Sequence, residues 1–501
     1  MRPIQTLTLK ICAALSILIA VPATAQNLQP SITDYKAACD GVTDDSLAVK
    51  AATTALAGTG AAIHIPYNCR LLMGPAARLA GLPPVLDGVG LVGDGGRDSG
   101  GAGGVYGNRG GTLLLTDTGG PAFIVKRNWR FQGLIFDWPT QLETPQGTPR
   151  AMPAMITGLG GSGQTGGLQS EVSSGRFIDN DVVNAFVLMD FSADPTGGLQ
   201  IRDNRIWCLD TCLRLRLMPL ESWVSGNQFS PNADYNALGV GIGPTYHLRD
   251  MAAAQGTIVH IVGDGTAMSP PSMSVDGLSF SDNTVFGMGY ALRISGGWSN
   301  LMTMTDNRLD GMAHVISLET GSRITYGTIS GGVWYSYTFG SPSVVTTPIT
   351  ASPSAAANSS LSVDNVTLAS SSGGIMDWRA PASDVSLTNI RAIGLNNIAG
   401  GTAAGVHYDS AGGRLRVLSS IVGFAAGSTS ACIEIPSGLQ MMAVSMNQFV
   451  LCPSVISLSG SPGAVLVNGN QAIGTSGPKI YSGPNAGDLP DTANGWDKPT
   501  R

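Results

Sequence analysis

A recurring asparagine constrains this chain more than any other feature. Asn180, Asn204, Asn227, Asn283, Asn307, Asn365, Asn389, Asn447 and Asn470 follow one another at intervals of 24, 23, 56, 24, 58, 24, 58 and 23 residues. The short intervals fit one structural repeat and the long ones two. Around each asparagine runs a short alternating phrase, such as Leu199-Gln200-Ile201-Arg202-Asp203-Asn204-Arg205-Ile206 or Leu278-Ser279-Phe280-Ser281-Asp282-Asn283. Alternation with a period of two marks a strand, and asparagine tolerates the left-handed backbone that a tight corner needs. Strand, corner and strand repeated at this period predict stacked coils rather than separate domains.

Coils stacked about 4.8 Å apart bring the corner asparagines into an internal ladder, each bonded to the next. The expected fold is all-β, a single-stranded right-handed parallel β-helix with an N-terminal capping helix. A leucine-rich horseshoe needs a Leu-rich consensus and a helical arc in each repeat, and the chain has neither. Gly at 67 of 501 residues and a charged fraction of only 12% suit many short strands joined by turns. The repeat continues without a linker, so one elongated domain is expected over residues 26–481. Residues 1–25 read as a leader and 482–501 as a loose tail.

In the leader, Arg2 and Lys10 precede an apolar run from Ile11 to about Val21, and Ala23-Thr24-Ala25 forms a small-x-small site before Gln26. The run is short for a membrane span, and no later stretch is long enough. An exported chain, secreted or periplasmic and without a membrane span, is expected. Six cysteines remain after cleavage and fall into neighbouring pairs: Cys39 with Cys69, Cys208 with Cys212, Cys432 with Cys452. Six cysteines allow about 15 pairings. The absence of a Cys-x-x-Cys or His cluster favours disulfides in an oxidising compartment over zinc. Without Arg2 and Lys10, 26 basic residues face 34 acidic ones, a net charge of −8, and no basic run is present. Nucleic acid is excluded as a partner on that ground; a homo-oligomer is compatible with the sequence.

The segment Ile32-Thr33-Asp34-Tyr35-Lys36-Ala37-Ala38-Cys39-Asp40-Gly41-Val42-Thr43-Asp44-Asp45-Ser46-Leu47-Ala48-Val49, followed by Ala61-Ala62-Ile63-His64-Ile65-Pro66, resembles the opening of the pectate lyase superfamily. That family's pattern is Asp-Phe/Tyr-Gly-Ala, then Gly-Asp-Gly-x-x-Asp-Asp/Asn, a helix, and a strand ending in Pro. Here Lys36 and Cys39 stand where glycines are usual, and Cys69 falls in the turn after Pro66. The resemblance implies a disulfide that has taken over a local structural role at the two ends of the motif. It also implies a helix from Thr43 or Asp44 to about Leu56, with Leu47, Ala51 and Ala55 on the face that covers the first coil. Leu86 to Gly95 is similar to the family's first full coil, and Gly100 to Gly111 reads as a loop. The superfamily embraces lyases, hydrolases, epimerases, tailspike depolymerases and non-catalytic proteins. The motif sets of its polygalacturonases, pectate lyases and mannuronan epimerases are missing from this chain.

The ladder serves as a ruler for the groove, because in this family sugars lie across the sheet that follows the asparagine corner by one strand. Nine and eleven residues beyond each asparagine stand Met189 and Phe191, Leu213 and Leu215, Leu292 and Ile294, Ile316 and Leu318, all apolar and hence inward-facing. The residues between them, Asp190, Arg214, Arg293 and Ser317, must face outward. Asp210, Tyr290 and His314 lie slightly upstream, and Arg216 two residues beyond Arg214. Asp190, Asp210, Arg214, Arg293, Tyr290 and His314 are therefore the candidate catalytic residues. Cations to neutralise a uronate carboxylate, with a base and an acid such as His and Tyr, point to a polysaccharide lyase. Hydrolysis needs two carboxylates, for which Asp190 and Asp210 are the candidate pair, but Arg214 beside them favours both being ionised. A non-catalytic glycan-binding or envelope-structural protein is the rival from another class. A second polar source is the long interval holding Asp234, Tyr235, Tyr246, His247, Arg249, Asp250, His260 and Asp264. As for cofactors, the resemblance admits a calcium ion held by aspartates. Asp179, Asp203, Asp282, Asp306 and Asp364, which precede ladder asparagines, fall at a corner away from the groove.

Overall fold

The computed structural model describes residues 29–95, 111–142, 150–159, 172–230, 256–263, 274–336, 346–396, 402–425, 428–460, 462–474 and 480–481. The leader, the tail, most of the Gly100–Gly111 loop and the polar segment carrying Asp234, Tyr235, Tyr246, His247, Arg249, Asp250 and Asp264 lie outside the described residues. Two long sheets run the length of the molecule, one of 14 strands and one of 31 among the described residues. Strands of successive coils pair in parallel. The fold is a right-handed parallel β-helix, the hand that twisted parallel strands impose on their crossovers. One continuous apolar core fills its interior, from Ile32 and Leu71 to Ile456 and Val467. Nowhere among the described residues is a helix long and apolar enough to cross a membrane.

The ladder holds the corners together through buried side chains. Asn204 offers Oδ1 to the backbone N–H of Asn180 at 2.9 Å and to its Nδ2 at 3.1 Å, and the same pair of bonds recurs from Asn204 to Asn227, Asn227 to Asn283, Asn283 to Asn307 and Asn447 to Asn470. Two expected rungs are absent. Asn365 and Asn389 are exposed and have φ of 55° and 52°, while the buried ladder position falls one residue later, on Val366 and Ile390. The left-handed residue is thus the one before the rung: Asp179, Asp203, Asp282 and Asp306 have φ between 51° and 59°. Ser420 restores the polar line, its Oγ accepting from the Ile390 N–H and its own N–H donating to Asn447 Oδ1.

At the N-terminal end a helix spans Ser46–Ala55. Asp44 Oδ1 accepts from the Ser46 N–H at 3.0 Å, and the same carboxylate takes the N–H groups of Gly74 and Ala76. The buried face is Ser46, Val49, Ala52 and Thr53, whereas Leu47, Ala51 and Ala55 are exposed, which corrects the face expected from the sequence. Alternation of small residues made the two faces hard to tell apart, and contact with the first coil decided between them. Lys36 and Cys39, the two positions where glycine is usual, have φ of 68° and 56°. Cys39 is bonded to Cys69, Cys208 to Cys212 and Cys432 to Cys452.

Candidate functional site

Parity along the strands aims side chains outward or inward, and coil stacking then lines up the outward ones. Met189, Phe191, Leu213, Leu215, Leu292, Ile294, Ile316 and Leu318 are all buried, as the ruler predicts. Register places Asp190, Arg214, His260, Arg293, Ser317, Thr350, Asp377, His407 and Glu434 in one column on successive coils. Eight coil steps make this column roughly 38 Å long.

At its N-terminal end Arg214 gathers two carboxylates. Nη1 donates to Asp190 Oδ2 at 2.8 Å, and Nη2 lies 3.5 Å from Asp210 Oδ2. The Ser192 N–H and hydroxyl hold the other oxygen of Asp190 at 2.9 and 2.6 Å. Arg216 is exposed just beyond.

One to three coils beyond Arg214, a relay runs through His260, Arg293, Ser295 and Glu319. Arg293 Nε donates to Glu319 Oε1 at 2.7 Å, and the Ser295 hydroxyl donates to Glu319 Oε2 at 2.6 Å. The Ser295 proton is thereby committed, so His260 Nε2, 3.0 Å from Ser295 Oγ, is the donor to that oxygen. The network assigns the remaining lone pair to His260 Nδ1. Burial first, then the charges of Arg293 and Arg214, pull the His260 pKa down to about 4, so the ring is neutral at pH 7. Burial pushes Glu319 upward, but hydrogen bonds from Arg293 and Ser295 outweigh it and hold the carboxyl below its ordinary value.

Tyr290 joins this group from the same strand. Its ring sits under the Arg293 guanidinium at 5.2 Å and stacks on His314 at 4.8 Å. Burial raises the Tyr290 pKa, so the phenol is protonated across the neutral range. His314 has its Nδ1 2.8 Å from the Thr347 carbonyl oxygen, and burial lowers its pKa. Among the described residues Arg293 forms hydrogen bonds only through Nε, which leaves its Nη pair to meet a ligand.

The structure thus brings together all six residues singled out from sequence, in two groups: Asp190, Asp210 and Arg214, and Arg293, Tyr290 and His314. It joins them through His260, which sequence located only in a long interval of unknown path. Glu319, Ser295, Asp377, Arg379, His407 and Glu434 were missed. Glu319 and Ser295 lie two residues beyond Ser317 and Arg293 on the same outward parity, and that step was the available signal. The later residues follow the off-register Asn365 and Asn389, where the ruler fails. Beyond the relay, Arg379 makes a fork with Asp377 at 2.9 and 3.0 Å, and His407 Nδ1 lies 2.9 Å from Glu434 Oε2. Among the described residues no group of three His, Cys, Asp or Glu side chains is arranged to hold a metal ion. Trp129, Trp138, Trp334 and Trp378 are buried in the core.

No family model and no curated protein sequence matches the chain. Among solved structures, a double mutant of the tailspike protein of E. coli bacteriophage HK620 is similar with a TM-score of 0.53 at 11% identity, covering 88% of this chain and 78% of the tailspike. A single mutant of that tailspike in complex with a pentasaccharide gives 0.51 at 10% identity, over 87% and 78% of the two chains. The A-module of an Azotobacter vinelandii mannuronan C-5 epimerase is similar at 0.44 and 12% identity, over 90% and 99%. The tailspike likeness establishes the shared β-helix fold.

Proposed function

We propose that this protein is an exported polysaccharide-degrading enzyme of the pectate lyase superfamily, a lyase that cleaves an acidic, uronic-acid-containing glycan by β-elimination. The observation that carries the reading is the run Arg214, His260, Arg293 on successive coils, a neutral imidazole between two guanidinium groups. β-Elimination starts by removing a proton from the carbon beside a carboxylate, which is feasible only if the charge that builds on that carboxylate is met. The Nη pair of Arg293 has the geometry for bidentate contact with it. His260 Nδ1 takes the proton, and the Tyr290 hydroxyl returns one to the departing glycosidic oxygen as that carbon–oxygen bond breaks and a carbon–carbon double bond forms. Both groups hold the protonation state the step requires at neutral pH. In this role His314 positions Tyr290 by stacking.

Support from the fold is of a coarser kind: the tailspike of this fold binds a pentasaccharide. Hydrolysis needs a carboxylic acid with a raised pKa, and Glu319 is displaced the other way. The test is incubation with a panel of acidic polysaccharides while following the ultraviolet absorbance of the unsaturated product. New reducing ends without that absorbance would assign hydrolysis instead. Binding without any fall in viscosity would assign a non-catalytic glycan-binding protein.

A further inference from the structure

Immediately C-terminal to the relay the outer face opens into a cleft of about 500 Å³, within the range of small-ligand sites. Ser317, Thr350 and Ser352 supply hydroxyls to its floor, Glu319 stands at one side, and Asp377 with Arg379 at the other. Its middle strand, Ile349–Ala351, lies two coils beyond Tyr290–Ser295, which carries Arg293. That separation is roughly 9.5 Å, so a chain held at Arg293 and running along the column continues into the cleft.

The electrostatics of the cleft differ from those at Arg293. Arg379 is its only lining cation, and both Nε and Nη2 are already spent on Asp377. Glu319 is held ionised by Arg293 and Ser295. A second sugar carboxylate entering here would meet two carboxylates and no uncommitted guanidinium, and like charges in a partly desolvated site repel. Sugar hydroxyls, by contrast, are donors that ionised carboxylates accept in strong, charge-assisted bonds.

We infer that this cleft is a subsite for an uncharged sugar, and that the substrate is a heteropolymer in which a uronic acid is flanked by neutral sugars rather than a homopolymer of uronic acid. This rests on the reading of Arg293 as the uronate contact. Two probes separate the possibilities: a tetrasaccharide of one terminal glucuronate and three glucoses, prepared with the glucuronate at either end, and an all-glucuronate tetrasaccharide, each titrated calorimetrically into the full chain. The single-glucuronate probe is expected to bind at least about tenfold more tightly. Asp377→Asn, which releases Arg379, should shrink that preference to less than about threefold by strengthening the all-uronate probe. Thr350→Phe, which fills the floor, should weaken the single-glucuronate probe about tenfold or more while leaving the melting temperature within about 2 °C. Equal or tighter binding of the all-uronate probe, an unchanged preference in Asp377→Asn, or binding of neither probe overturns the inference. Failure of the lyase reading is recognised separately. It appears as loss of ultraviolet product from every polysaccharide, whichever tetrasaccharide binds better.

Discussion

Replacing Asn227 with alanine should weaken the molecule far more than removing an exposed asparagine from the same repeat. Asn227 is 1% exposed and sits at the middle of the ladder. Its Oδ1 accepts from the Asn204 N–H at 3.0 Å and from Asn204 Nδ2 at 2.9 Å. Its Nδ2 donates to the Ile201 carbonyl at 2.9 Å and to Asn283 Oδ1 at 3.0 Å. Alanine leaves two donors of Asn204 without their acceptor in the core. At about 1–3 kcal/mol for each buried unsatisfied group, the cost is about 2–6 kcal/mol. Because a solenoid is stabilised by contacts between neighbouring coils, the loss should be concentrated near the altered rung. Hydrogen exchange should show reduced protection at Asn180, Asn204 and Asn227 and little change at Asn447. Asn365→Gly is the control: its backbone is left-handed, its side chain is exposed, and glycine adopts that φ without strain. It should change stability by less than about 1 kcal/mol. Equal losses from the two variants, or a cost below about 1 kcal/mol for Asn227→Ala, would show that the ladder does not hold the coils together.

Arg293→Ala should lower turnover, read as ultraviolet product on a confirmed substrate, by a factor of about 100 or more with little change in melting temperature. His260→Ala should abolish turnover, while His314→Ala should lower it less, since His314 acts through Tyr290; the reverse order would return the base role to His314. The acidic limb of the wild-type pH–rate profile should fall near pH 4 rather than 6.5, following the depressed pKa of His260. The same depression makes the unfolded chain bind the proton first. Stability contributed by neutral His260 is therefore complete above about pH 6.5 and lost as pH falls towards about 4, and a His260→Gln variant should show a shallower decline over that window by thermal melts. Replacing Cys39 and Cys69 together by serine opens a bridge between residues 30 apart. That should cost about 3–4 kcal/mol in the chain-entropy treatment, measurable by denaturant titration, with first cleavage by protease moving to the N-terminal coils.

Period-two alternation carried the strand faces into the sequence, since parity alone sends Met189 and Phe191 inward and Asp190 outward whatever the neighbouring coils do. The coil length carried the β-helix, because an asparagine that recurs every turn is useful only if the turns stack. What no single coil contains is the alignment between coils. Asn365 and Asn389 keep the expected spacing to within one residue, yet a shift of one exchanges a buried rung for an exposed left-handed corner. His260 could not be placed from its sequence distance to Arg293, because the intervening turn has its own length. Pairing of Thr257–Val262 with Tyr290–Ser295 put it between the two arginines. Its low pKa likewise has no local cause: it comes from burial and from two guanidinium charges that reach it only across the hydrogen-bonded stack.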